Sequence, residues 1–183
     1  GYLVFEASRP KRWADFCRPT LGLPEPLINP DGSRGWQLDG LAQRLVVQKG
    51  PSDDLAALGL HCANEQVLNA LASRIADAGH AVEEGDARLC IARRVHRLVR
   101  TTDPAGNTVE LFVDPDEAVH AFASEAFPEG FRTGALGMGH AVLVSHDLAA
   151  MEAFYADVLG FGVTERLATK VGPIQVRGTF MHC

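Results

Sequence analysis

Two rhythms of hydrophobic and polar residues alternate along this chain: short apolar runs of strand-like composition, and longer stretches spaced like one face of a helix. Residues 140–144 (His-Ala-Val-Leu-Val) are short, apolar and β-rich, which predicts a buried strand. Ser145 and Asp147 offer N-caps, and apolar residues recur at 148, 151, 154, 155, 158 and 159, one face of an amphipathic helix. Gly160 supplies its C-terminal cap. The same pattern occurs at the start of the chain. Residues 1–24 lie on residues 139–162 without a gap, and Gly1, Val4, Phe16, Leu21 and Gly22 meet Gly139, Val142, Phe154, Leu159 and Gly160. Apolar positions coincide between these identities, with Phe5 on Leu143, Trp13 on Met151 and Leu23 on Phe161. The chain therefore repeats a strand–helix unit. In the earlier copy Tyr2 takes the place of His140.

Taken in order, the pattern predicts a strand over 3–7, then a helix capped by Ser8 with Pro10 in its first turn, where a missing N–H costs little. Pro19 should end that helix near Arg18. Residues 24–34, with three prolines and an Asp-Gly, read as a loop with room for one short strand, followed by antiparallel strands at 35–38 and 44–48. A second unit has a strand at 58–63, a helix begun by Asn64 with Leu68, Leu71, Ala72 and Ile75 on one stripe and closed by Gly79, and a short edge strand at 81–84. Strands at 95–101 and 108–113 flank an Asp103-Pro104-Ala105-Gly106-Asn107 turn. Residues 114–135, acidic and broken by prolines and glycines, read as a connection. After the third unit's helix, strands at 163–167 and 175–181 enclose a Gly172-Pro173 turn. The expected organisation is a structural half over 1–114 with two βαβββ units, a linker over 115–135, and at 136–183 the first unit of a second, incomplete domain.

Composition narrows the partners. The formal charge of −6 argues against nucleic acid and against an anionic membrane surface. No apolar run approaches the roughly 20 residues of a membrane span. The four cysteines, Cys17, Cys62, Cys90 and Cys183, are scattered without a Cys-x-x-Cys, so buried thiols in a reducing cytoplasm are expected rather than a disulfide framework or zinc knuckle. The chain begins without Met and Cys183 closes a strand-like run, so it reads as a piece of a longer protein.

The tandem βαβββ units, the Gly139-His140 strand, the Ala153 to Phe161 helix, the Asp103 to Leu111 turn and strand, Arg44-Leu45-Val46-Val47, Phe131-Arg132-Thr133-Gly134 and Phe180-Met181-His182-Cys183 together resemble the vicinal oxygen chelate superfamily. Within it, the chain resembles the type I extradiol ring-cleavage dioxygenases that act on biphenyl-diol and other bicyclic or steroid catechols. The resemblance implies an α+β fold, a metal-free first half and a catalytic second half. It also implies Fe(II), with Mn(II) as the alternative, held by two histidines and a glutamate with sites left for catechol and O2. On local pattern alone His140 reads as a hydrogen-bonded core histidine; with the resemblance it matches the first of those histidines and reads as a ligand. Val142 and Phe180 match positions that line the aromatic pocket, or are ordinary core residues. The second histidine, the glutamate and the acid–base histidine match nothing up to Cys183. His182 matches a motif histidine that is not a ligand and is read as a strand-end residue.

Glu110 stands where a metal-bearing copy carries its carboxylate, but Tyr2 replaces the imidazole beside it, which favours a vestigial, hydrogen-bonded carboxylate. His61, His80, His96, His120 and His146 lack ligand spacing, and Arg93, Arg94 and Arg97 read as a solvated basic face. The function implied is extradiol cleavage of an aromatic catechol in a cytoplasmic homo-oligomer. A glyoxalase-like metalloenzyme and a non-catalytic bleomycin-resistance-like binding protein are the alternatives. By itself the chain is expected to be inactive, because one histidine cannot hold a labile iron, and to leave an apolar sheet face uncovered.

Overall fold

A computed structural model of the chain describes residues 1–132 and 138–183. The first 115 residues supply every strand of one eight-stranded sheet. The first unit comprises β1 (Tyr2–Ala7), α1 (Lys11–Leu21), β2 (Leu27–Ile28), β3 (Arg34–Trp36) and β4 (Leu45–Lys49). The second comprises β5 (Leu55–His61), α2 (Glu65–Asp77), β6 (Glu83–Glu84), α3 (Ala87–Arg93), β7 (Val95–Thr102) and β8 (Thr108–Pro115). Within each unit the first and last strands pair in parallel, β1 with β4 and β5 with β8. The units join where β1 and β5 run antiparallel, with Tyr2 opposite Gly59. These are the tandem βαβββ units expected from the repeat.

Period-2 alternation gives the sheet two apolar faces. Along β8, Val109, Leu111 and Val113 pack beneath α2 with Leu68 and Ile75, while Phe112 faces the opposite side with Tyr2, Val4, Val46, Ala57 and Leu98. The stripe of α1 puts Cys17 against Ala7, Trp36 and Val47. Asn64 caps α2 as expected, its side chain accepting from the Val67 N–H at 3.0 Å.

Four local expectations are corrected. Helix α1 runs through Pro19 to Leu21, because the proline sits in the last turn and Gly22, at φ 63°, completes a left-handed cap whose N–H reaches the Cys17 carbonyl. Ser8 does not cap that helix; its N–H and hydroxyl both donate to Asp53. Between β6 and β7 lies α3, which the pattern did not predict, capped by Asp86 accepting from Leu89 N–H at 2.8 Å. Finally, the third unit is less complete than expected, since residues 140–144 form no strand.

The last correction has a topological cause. In the first unit, β1 is held between β4 of its own unit and β5 of the next. Among the described residues neither counterpart pairs with residues 140–144, so the segment lacks both hydrogen-bonding neighbours. Val142 and Val144 are accordingly 83% and 84% exposed. What the third unit has is α4 (Leu148–Ala153), continued by a π-helical turn at Phe154–Val158, and a hairpin of β9 (Gly162–Val171) with β10 (Ile174–His182). On the hairpin Leu167, Val171, Ile174, Val176 and Phe180 remain exposed, an uncovered apolar face.

Candidate functional site

His140 lies on the exposed segment before α4, and its ring meets Phe180 of β10 edge-on at 6.5 Å between centroids. The hairpin and the segment before α4 thus bring together two of the three residues singled out from the sequence. Val142 points largely into solvent and Phe180 is 48% exposed. His182 hydrogen-bonds Thr164 through Nδ1 at 2.8 Å. Among the described residues no three His, Cys, Asp or Glu side chains gather to hold a metal. Around His140 the described residues therefore offer an iron ion no more than a single imidazole.

The helix that follows His140 is anchored on the first half of the molecule. Met151, Phe154, Tyr155 and Leu159 join Leu68, Ile75, Val109 and Leu111 in one buried cluster. The Tyr155 hydroxyl donates to Asp103 Oδ2 at 3.1 Å, and the Arg74 guanidinium donates to the Asp157 carbonyl at 2.9 Å. Asp103 also accepts from Ala105 N–H, Asn107 N–H and Asn107 Nδ2. The turn expected at 103–107 is thus a turn and a docking point at once. Burial, reinforced by the Asp103 charge, pushes the Tyr155 phenol well above its ordinary range and keeps it a donor.

The place matching His140 in the first half is built differently. Tyr2 on β1 is buried, and its hydroxyl donates to Glu110 Oε2 on β8 at 2.6 Å. Gly59 on the facing strand makes room for the ring; a Cβ there would lie 2.3 Å from Tyr2 Cε2. Arg93, at the end of α3, donates from Nε to Glu110 Oε2 at 2.9 Å. Burial first, then the Glu110 charge, raises the Tyr2 phenol far above its usual value, so it stays protonated. Arg93 is only 5% exposed, which corrects its placement on a solvated face. Its neighbours are partnered too, Arg94 with Asn29 and Arg97 with Glu84 and Asn69. A long basic side chain looks solvated in sequence; the signal for this one, a carboxylate 17 residues downstream, becomes visible only once β8 is placed beside β7.

The other histidines are structural or solvated. His61 stacks on Phe112 at 5.2 Å, His80 meets Phe154 edge-on at 4.9 Å, and His96 is exposed near Glu65. His146 lines an open hollow with Asp147, Gln175 and Arg177 that does not reach His140.

Comparison with known proteins places this arrangement. The chain is 36% identical over its whole length to the biphenyl-2,3-diol 1,2-dioxygenase of Paraburkholderia xenovorans (strain LB400), covering 62% of that protein. Over its whole length the chain is similar to extradiol dioxygenases. It is also 32% identical, over 91% of its length and 55% of the relative's, to an iron-dependent extradiol dioxygenase of Rhodococcus jostii (strain RHA1). A crystal structure of catechol 2,3-dioxygenase superposes on all of the chain with a TM-score of 0.88 at 29% identity, the chain covering 65% of it. No protein-family model matches. The chain spans about three-fifths of the length of the curated relatives it matches, and its fold is the vicinal oxygen chelate fold of these enzymes. No helix among the described residues is long and apolar enough to cross a membrane.

Proposed function

We propose that this chain is the first three units of an extradiol dioxygenase that opens an aromatic catechol with O2 at an Fe(II) centre, Mn(II) being the alternative metal. The observation that carries the reading is the end-to-end match at 36% identity to a biphenyl-diol dioxygenase. His140 is the ligand that this chain contributes. Its imidazole sits on a segment followed by α4, which packs on the first half, and the Phe180 ring beside it offers an apolar wall to an aromatic substrate. Val142 lies two residues on and lines the same pocket once the segment is covered. The iron, when bound, supplies the Lewis acidity that favours a deprotonated diol and the redox partner for O2. The remaining ligands and the acid–base group come from outside residues 1–183. The protein acts in aromatic-compound degradation, as a cytoplasmic homo-oligomer.

The test is to load the complete gene product with Fe(II) anaerobically, add mono- and bicyclic catechols, and admit O2. A yellow ring-fission product is expected, and His140→Ala should lose both the product and the bound iron. Absence of product across the whole panel would remove the proposal, and so would full activity in His140→Ala. Residues 1–183 alone should turn over no catechol, because one imidazole leaves the metal labile.

A further inference from the structure

The first half of the molecule contains a buried charge arrangement that the proposed reaction does not use. Three oxygen-bearing side chains from three strands converge there: the Tyr2 hydroxyl of β1, the Gln48 carbonyl of β4 and the Glu110 carboxylate of β8. The Arg93 guanidinium lies among them. Its Nε is 2.9 Å from Glu110 Oε2, and its Nη2 is 3.3 Å from both Glu110 Oε1 and Gln48 Oε1. Tyr2 adds a hydroxyl 2.6 Å from the same carboxylate. Arg93 and Glu110 are 5% and 1% exposed, so the charge is withdrawn from water.

The side chain is also held there firmly. Gln43 Nε2 donates to the Ala92 carbonyl at 2.9 Å, and Arg94 Nε donates to Asn29 at 2.9 Å. Arg94 itself sits at φ 54°, a left-handed conformation that a non-glycine residue adopts only when its surroundings over-determine it. Helix α3 is thus clamped at the point where it delivers the guanidinium.

We propose that Arg93 is a built-in cation: it fills, with a side chain, an oxygen-lined site that would take a hard divalent metal ion if the guanidinium were removed. The repeat supports the assignment. Tyr2 occupies in the first copy the register that His140 occupies in the third, so the copy with an imidazole offers it to a metal and the copy with a phenol carries its own positive charge. Carboxylate, amide carbonyl and phenol are all hard donors, which selects Mg2+ or Mn2+ over thiolate-seeking metals. The competing account, an ordinary buried ion pair, needs no such cation site.

Mn2+ discriminates between the two, in chains carrying His140→Ala so that the exposed imidazole contributes nothing. The parent should leave the free Mn2+ signal in electron paramagnetic resonance undiminished and show no change in melting temperature with millimolar MnCl2. Adding Arg93→Ala should lower the melting temperature and create one bound Mn2+ per chain, with the metal recovering much of the lost melting temperature. Adding Glu110→Gln to that variant should abolish the binding. If Arg93→Ala does not fold in metal-free buffer, refolding with MnCl2 against KCl decides the matter, and recovery with manganese alone supports the proposal. An Arg93→Ala chain indifferent to Mn2+, failure to refold in both salts, equal binding by the parent, or binding that survives Glu110→Gln would each overturn it.

Discussion

Replacing Tyr155 by Phe tests whether the unit carrying His140 is docked on the first half through the 103–107 turn. The substitution removes one hydroxyl and leaves the ring, which packs edge-on against Phe154 at 5.2 Å and Phe161 at 5.6 Å. The bond lost is a buried one to a carboxylate, in a class worth about 1.5–3 kcal/mol. Its 3.1 Å length and the three N–H groups that still satisfy Asp103 place it at the low end, about 1.5 kcal/mol. For a chain of this size that is a fall of roughly 3–6 °C in melting temperature, if unfolding is a single transition. Calorimetry gives the global figure, and amide hydrogen exchange locates it: protection should drop in α4 and its π-helical turn before it drops in β1 or β8. Asp103→Asn with Tyr155→Phe closes a double-mutant cycle whose coupling should be about 0.5 kcal/mol or more. A Tyr155→Phe chain with unchanged melting and unchanged exchange in α4 would show that the apolar packing and Arg74 do the docking without the turn, and the argument from the turn would fail.

Two further outcomes follow from burial. Cys17, Cys62 and Cys90 are buried and their thiols are raised by desolvation, Cys17 to about 11, so Ellman's reagent at neutral pH should label only the exposed Cys183 natively and all four thiols after unfolding. Both tyrosines of the chain, Tyr2 and Tyr155, are raised above the ordinary phenol value of 10.0. The folded state therefore holds protons that the unfolded state releases above pH 10.0, and stability is full below that pH and falls as pH rises beyond it. Ultraviolet titration should show no tyrosinate until the chain unfolds, after which both appear together; a native chain ionising one phenol near its usual value would contradict the burial of that ring.

Much of the fold was legible because local chemistry and topology agree. Asn64 announces α2 and caps it, Asp103 to Asn107 announces a turn and makes it, and the gapless match of residues 1–24 to 139–162 exposes the unit that the sheet is built from. The misses share a cause, dependence on a partner far along the chain. Pro19 stays helical because Gly22 closes the turn after it. Helix α3 is seven residues long, too short to show a period, and its one local sign was Asp86 ahead of Leu89. Arg93 turns inward only because Glu110 is presented from β8, and nothing near either residue in sequence says so. Residues 140–144 have strand composition but no strand to pair with, so composition alone misleads.

The difference between the first and third copies can be argued from charge as well as from sequence. A carboxylate as deeply buried as Glu110 is tolerable only beside a positive charge or with a full set of donors. In the first half both come from the chain itself, Arg93 for the charge and Tyr2 for a donor, so that half closes on its own with Tyr2, Val4, Val46 and Phe112 packed in one cluster. The surroundings of His140 differ: the segment is exposed, its hairpin keeps apolar side chains in solvent, and the buried part of the unit is the helix and its π-helical turn, packed against the first half. A copy that supplies its own cation is finished without a metal. The copy with the imidazole presents it on an exposed, unpaired segment, and that is why the functional reading rests on His140 rather than on the better-ordered cluster around Glu110.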